Sequence, residues 1–179
     1  MLKHGILGLL NYGEMTGYEI MEVFRDSLNF FWSANTSQIY RELQTLSAKG
    51  FVSDTIVEQS GKPDKKVFSI TKEGKVELEQ WLLDEDFGKK MNFPILMKTF
   101  FMGELSKGDS IEHFRAMRED CQKTLMSISK ADLNTVFYED IVKNKEKTQY
   151  WNMTREFGIH YAQMMLEWCD SCIAKLEEK

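Results

Sequence analysis

Proline, cysteine and histidine are all scarce in this chain: among 179 residues there are two prolines, three cysteines and three histidines. Two prolines and 11 glycines exclude collagen-like, proline-rich and glycine-linker architectures. An odd set of three thiols cannot build a disulfide framework, which agrees with a reducing compartment. No apolar run approaches the ~18 residues of a membrane span, so no membrane partner is expected. The stretch Met1 to Leu10 has one lysine and a short apolar core, then enters Asn11-Tyr12-Gly13 without a small-residue cleavage site. It reads as a cytoplasmic, mature start. His4, His113 and His160 show no paired spacing with one another or with Cys121, Cys169 and Cys172 that a metal site requires, and no metal or cofactor is expected. Nucleophile-elbow glycines, a phosphate loop and a Ser/His/Asp set are likewise missing, so the chain is not read as an enzyme.

What is present is an ordinary globular composition, 42% hydrophobic and 28% charged, enough to bury a core in one domain or two small ones. The formal charge is -5, which excludes a globally basic nucleic-acid binder. Residues 37–75 run against that balance, with seven basic side chains to five acidic ones. A polyanion would be met by this segment and repelled elsewhere.

The apolar spacing predicts helices over Leu2 to Leu10, from Thr16 onward, and over a third segment carrying Ile39, Leu43 and Leu46. Thr16 and Glu19 form a capping box for the second helix. Ser37 or Thr36 is the expected cap of the third, and Lys49-Gly50 its stop. The period then drops to two: Phe51-Val52, Thr55-Val57 and Val67-Ile70 read as a hairpin around the turn formers Gln59 to Asp64. Thr71 caps a helix to Leu83, with Val76, Leu78, Trp81 and Leu82 as its apolar members. From residue 84 the pattern is helical: Ile95 to Leu105, Asp109 to about Ser129 with an Asp109/Glu112 cap, and about Thr148 to Leu176 with the stripe Met153, Phe157, Tyr161, Met164, Trp168, Cys172 and Leu176. That stripe has the spacing of a helix seam between two molecules.

Three helices, a hairpin and a helix within about 80 residues make a winged helix-turn-helix. The fold class is therefore mainly α with a small β-hairpin wing: a winged helix-turn-helix at residues 1–83 and an α-helical dimerisation domain at 84–179. Burying Ile39, Leu43 and Leu46 leaves Thr36, Ser37, Gln38, Arg41, Gln44 and Thr45 outward. Gln suits adenine, Arg suits guanine, and hydroxyls suit either base edges or phosphates. Lys62, Lys65 and Lys66 on the hairpin would displace counterions from a duplex backbone.

The blocks Ile6 to Leu10, Thr16-Gly17-Tyr18-Glu19-Ile20, Ile39-Tyr40-Arg41-Glu42-Leu43, Lys49-Gly50-Phe51-Val52 and Gly61-Lys62-Pro63 through Ile70 to Gly74 resemble, in order, those of PadR-type transcriptional regulators. The resemblance is specific over residues 1–83 and general beyond. It implies a homodimer, usually a repressor, on an inverted-repeat operator in double-stranded DNA. It implies that the third helix enters the major groove, that Tyr40 approaches the backbone and that the wing tracks the minor groove. Lysines stand where the family often has arginines, which favours phosphate contact over groove insertion.

Other features have plainer readings. Cys169-Asp170-Ser171-Cys172 has CxxC spacing but falls near a helix C-terminus, where the dipole opposes a thiolate, so packing cysteines are expected. The methionines and aromatics of the C-terminal part read first as core and dimer seam. As a second reading they line a pocket for a small aromatic or apolar effector, with Trp151 and Trp168 as the stacking rings. The competing function is a winged helix used only for protein contacts, which would leave duplex DNA unshifted.

Overall fold

The computed structural model describes residues 1–28, 31–58, 64–85, 93–130 and 145–178. The chain divides into two compact units, Met1–Phe87 and Gly88–Lys179. In the first, α1 (Leu2–Leu10), α2 (Gly17–Val23) and α3 (Thr36–Ala48) precede a hairpin of β2 (Val52–Val57) and β3 (Lys65–Ile70), and α4 (Lys72–Leu83) follows it. Ile6, Leu7, Ile20, Ile39, Leu43 and Leu46 form the fully buried centre. Each such side chain gains roughly 1.5–3 kcal/mol from burial, which stabilises helices too short to persist alone.

The helix ends follow local chemistry. Thr16 Oγ1 accepts from the Glu19 amide at 3.2 Å while the Glu19 carboxylate accepts from the Thr16 amide at 2.7 Å, so the expected capping box starts α2. At α3 the expectation fails by one residue. Neither Thr36 nor Ser37 is the cap: Asn35 Oδ1 accepts from the Gln38 amide at 2.9 Å, and Gln38 Oε1 accepts from the Asn35 amide at 2.9 Å. Asn caps at least as well as Ser or Thr, and three such residues in a row leave the start ambiguous in sequence. The other end matches expectation. Gly50 takes φ +73°, Phe51 donates to the Leu46 carbonyl at 3.0 Å and Gly50 to the Ser47 carbonyl at 3.0 Å, a Schellman stop.

A two-residue strand, β1 (Met15–Thr16), is too short to leave a pattern in the sequence. It pairs with β3 through Met15–Phe68 and Thr16–Val67, giving an antiparallel sheet of order β1-β3-β2. Thr71 caps α4 as expected, its hydroxyl oxygen accepting from the Gly74 amide at 3.0 Å. Leu78 is buried, but Val76 and Leu82 are exposed. Val76 lies two residues, about 200°, round the helix from Leu78, so the four apolar residues cannot share a face. Instead Trp81 stacks on the buried His4 ring with 4.4 Å between centroids.

The second unit contains α5 (Pro94–Phe101), a 3-10 turn (Met102–Glu104), α6 (Lys107–Lys130) and α7 (Lys145–Glu177). α6 starts two residues before Asp109, because Ser106 Oγ accepts from the Asp109 amide at 3.1 Å and donates to its carboxylate at 2.6 Å. The two long helices run antiparallel: Phe114 meets Trp168 edge-on at 5.6 Å, Arg118 reaches Asp170 at 2.5 Å and Arg115 reaches Glu177 at 3.0 Å. On α7 the buried positions are Gly158, Ala162, Met165 and Cys169. Met153, Phe157, Tyr161 and Met164 of the apolar stripe stay 40–64% exposed. Among the described residues no helix is long and apolar enough to cross a membrane.

Candidate nucleic-acid interface

With Ile39, Leu43 and Leu46 turned inward, Thr36, Ser37, Gln38, Tyr40, Arg41, Gln44 and Thr45 all lie exposed on α3. Their polar atoms are not equally available. The Thr36 hydroxyl donates to Met21 Sδ at 2.9 Å, Ser37 to Asn35 Oδ1 at 2.7 Å and Thr45 to the Arg41 carbonyl at 3.0 Å. Gln38 closes the cap of the helix. These four serve local structure first. Among the described residues, Tyr40, Arg41 and Gln44 have no side-chain hydrogen bond or ion pair. A guanidinium fork, a carboxamide and a phenol thus stand ready for guanine, adenine and phosphate.

A cleft of about 570 Å³ opens between the start of α2, the outer side of α3 and strand β3, with Gly17, Tyr40, Gln44, Lys65 and Lys66 in its lining. Gly17 makes the seat for Tyr40. A Cβ built there would stand 2.6 Å from Tyr40 Cε1 and 2.9 Å from its hydroxyl oxygen, so any side chain at 17 displaces the ring. Sequence reasoning noted Gly17 within a block but missed this role, since the contact spans 23 residues. The Tyr18 hydroxyl is bonded to Glu22, which pushes the phenol above its ordinary value, and Glu19 is held in the α2 cap. The positive character of the cleft therefore rests on two lysines. Lys66 pairs with Asp54 at 3.0 Å, whereas Lys65 has no ion pair among the described residues. Lys62 lies outside the described residues.

In the second unit Trp168 packs half-buried on Phe114. Trp151 stands on the same helix, α7, about 25 Å away along its axis. The two rings do not share a pocket within one protomer. Cys169 is fully buried, and loss of solvation pushes its thiol up to about 11. Burial raises Cys121 and Cys172 as well. Because the thiolate is the reactive form, this CxxC is a packing element. Among the described residues no group of His, Cys, Asp and Glu is arranged to hold a metal ion.

Comparison with known proteins places this geometry in context. Residues 6–80 match the family described as the transcriptional regulator PadR-like family, and residues 92–177 match the one described as virulence activator alpha C-term. The chain is 29% identical over 188 aligned residues to the negative transcriptional regulator PadR of Bacillus subtilis, covering 99% of this chain and 98% of that protein. The crystal structure of Bacillus subtilis PadR in complex with operator DNA is similar with a TM-score of 0.81 and 28% identity, over 98% of each chain. The structure of the same protein in complex with p-coumaric acid is similar with a TM-score of 0.74 and 26% identity, again over 98% of each chain.

Proposed function

This chain belongs to the PadR-like family of transcriptional regulators, and on that premise we propose that it is a cytoplasmic, homodimeric repressor whose α3 helices read the two halves of an inverted-repeat operator. The observation that carries the reading is the spare hydrogen-bonding capacity of Arg41, Gln44 and Tyr40 beside a lysine-bearing hairpin, on a chain that is otherwise negative. Arg41 and Gln44 specify bases, while Tyr40, Lys65 and Lys66 hold the backbone. The hydroxyls of Thr36, Ser37 and Thr45 and the Gln38 amide add contacts from groups already anchored in the helix. Lys62, in the hairpin loop, adds to the same attraction.

Residues 1–83 grip DNA and residues 84–179 join the protomers. A second copy covers Met153, Phe157, Tyr161 and Met164, whose exposure would otherwise leave a large apolar patch in water. A small aromatic effector releases the repressor, by analogy with the relative that binds p-coumaric acid; repacking of α6 and α7 around Trp151 or Trp168 would move the two α3 helices relative to one another. The chain acts by binding, not by catalysis.

Selection of bound fragments from a random duplex pool at fixed salt tests the reading. Recovery of a two-fold symmetric site with half-site centres ~34–36 Å apart, or a multiple, is the expected result. A folded protein that enriches no sequence, or none with two-fold symmetry, refutes it and returns the choice to a winged helix devoted to protein contacts.

A further inference from the structure

Lys65 and Lys66 both line the cleft, yet only one of them is a free cation. The Lys66 ammonium sits 3.0 Å from Asp54 Oδ2 on the neighbouring strand and 5.4 Å from the centre of the Phe68 ring. The strand register causes this. Asp54 stands opposite Phe68 and Ile56 opposite Lys66, which makes Asp54 and Lys66 diagonal neighbours on one face of the hairpin, within reach of a long side chain. Lys65 points to the other face of the strand.

We propose that Asp54 sets the affinity of this protein for DNA: its carboxylate occupies the ammonium group that a backbone phosphate would take, so Lys66 joins the duplex only by exchanging one anion for another. The proposal rests on the DNA-binding reading above. The pair is partly open to water, with side-chain exposures of 30% for Asp54 and 56% for Lys66, and such pairs are weak enough to exchange. After exchange the carboxylate remains a few ångströms from the phosphate and repels it. A lysine already neutralised by a carboxylate also contributes no net counterion release, so in wild type the pair is nearly silent in the salt dependence of binding.

The test is a fluorescence-anisotropy titration of the full chain onto a labelled mixed-sequence duplex across a sodium chloride series, with thermal melting of each protein alongside. A mixed sequence suffices because backbone contact is at issue. Asp54→Asn is expected to bind about three- to tenfold more tightly at low salt and to steepen the log–log salt slope by about 0.9. Asp54→Ser repeats the test with a smaller side chain. Glu58→Gln, which removes a charge from the same hairpin without releasing a lysine, is expected to give less than half of that gain.

Unchanged affinity and slope in both Asp54 variants, with wild type binding normally, overturns the proposal and leaves the DNA-binding reading standing. Equal gains for Asp54→Asn and Glu58→Gln overturn it in favour of a general charge effect. Weaker binding with a lowered melting temperature overturns it by making Asp54 a brace of the hairpin. A wild-type chain that binds no duplex removes both the reading and the proposal.

Discussion

Replacing Gly17 by alanine should impair DNA binding without unfolding the protein, through the ring of Tyr40. The new methyl carbon would lie 2.6 Å from Tyr40 Cε1, roughly 0.8 Å short of the 3.4 Å at which ordinary contact begins. The obstacle is a side chain, 44% exposed, so the ring swings toward solvent while the backbone stays. Alanine gains up to about 1 kcal/mol over glycine in helix propensity, which offsets the lost ring contact and keeps the stability change within about 1 kcal/mol. Binding fares worse. An O–H···O bond works only over ~2.5–3.0 Å, so a displaced hydroxyl loses its phosphate, and a hydrogen bond to a charged group contributes about 1.5–3 kcal/mol. Affinity for a cognate duplex should fall by roughly 10- to 150-fold. Tyr40→Phe, which keeps the ring and removes the hydroxyl, should fall by a similar factor, and the double variant should be far from additive because both changes act on one contact. Wild-type affinity for Gly17→Ala beside a weakened Tyr40→Phe, or full additivity in the double variant, would refute the reasoning.

Gly74→Ala should be destabilising, because its Cβ would stand 2.1 Å from the Phe51 carbonyl oxygen, an immobile backbone atom; urea unfolding should show a loss of about 1–3 kcal/mol or more. Acid should loosen the packing of α1 on α4. Burial lowers the His4 pKa from 6.5, and Lys3 first, then His4, hold the Glu77 carboxyl below its usual range. The unfolded chain therefore takes up protons that the folded chain resists, so the His4 contribution is complete above about pH 6.5 and lost below it, and that of Glu77 is complete above about pH 4.5 and lost further down. His4→Gln should flatten the melting temperature between about pH 7 and 5; an unaltered profile would contradict this. Cys169, with its thiol near 11, is only about one part in a thousand thiolate at pH 8. In native protein iodoacetamide should leave it untouched, as mass spectrometry of tryptic fragments would reveal.

Features decided by neighbours in the chain were legible in sequence. The Thr16–Glu19 box, the Thr71 cap and the Gly50 stop each depend on residues three or four apart, and the burial of Ile39, Leu43 and Leu46 depends on helical spacing alone. The polar outer face of α3 follows from that burial. Features decided by distant partners were hidden. His4 is buried because Trp81 and Glu77 come to it from 77 and 73 residues away, and β1 exists only because β3 offers it a partner. The last helix shows a different difficulty. Its large apolar stripe looked like the natural packing face, but the buried positions are held by smaller residues such as Gly158 and Ala162. At the interface, residue types identified the candidates, but only hydrogen-bond partners separate Arg41 and Gln44 from Ser37, Gln38 and Thr45, and only strand register couples Lys66 to Asp54.

The division of labour between α3 and the hairpin is tested most directly by comparing Arg41→Ala with Lys65→Ala on two duplexes, the one recovered by selection and one of mixed sequence, across a salt series. Arg41→Ala should lose about 1–3 kcal/mol on the selected duplex and little on the mixed one, and Lys65→Ala should weaken both alike and flatten the salt slope by about one. Equal losses for Arg41→Ala on the two duplexes, or a wild-type chain that binds them with the same affinity, would contradict the assignment of sequence reading to this helix.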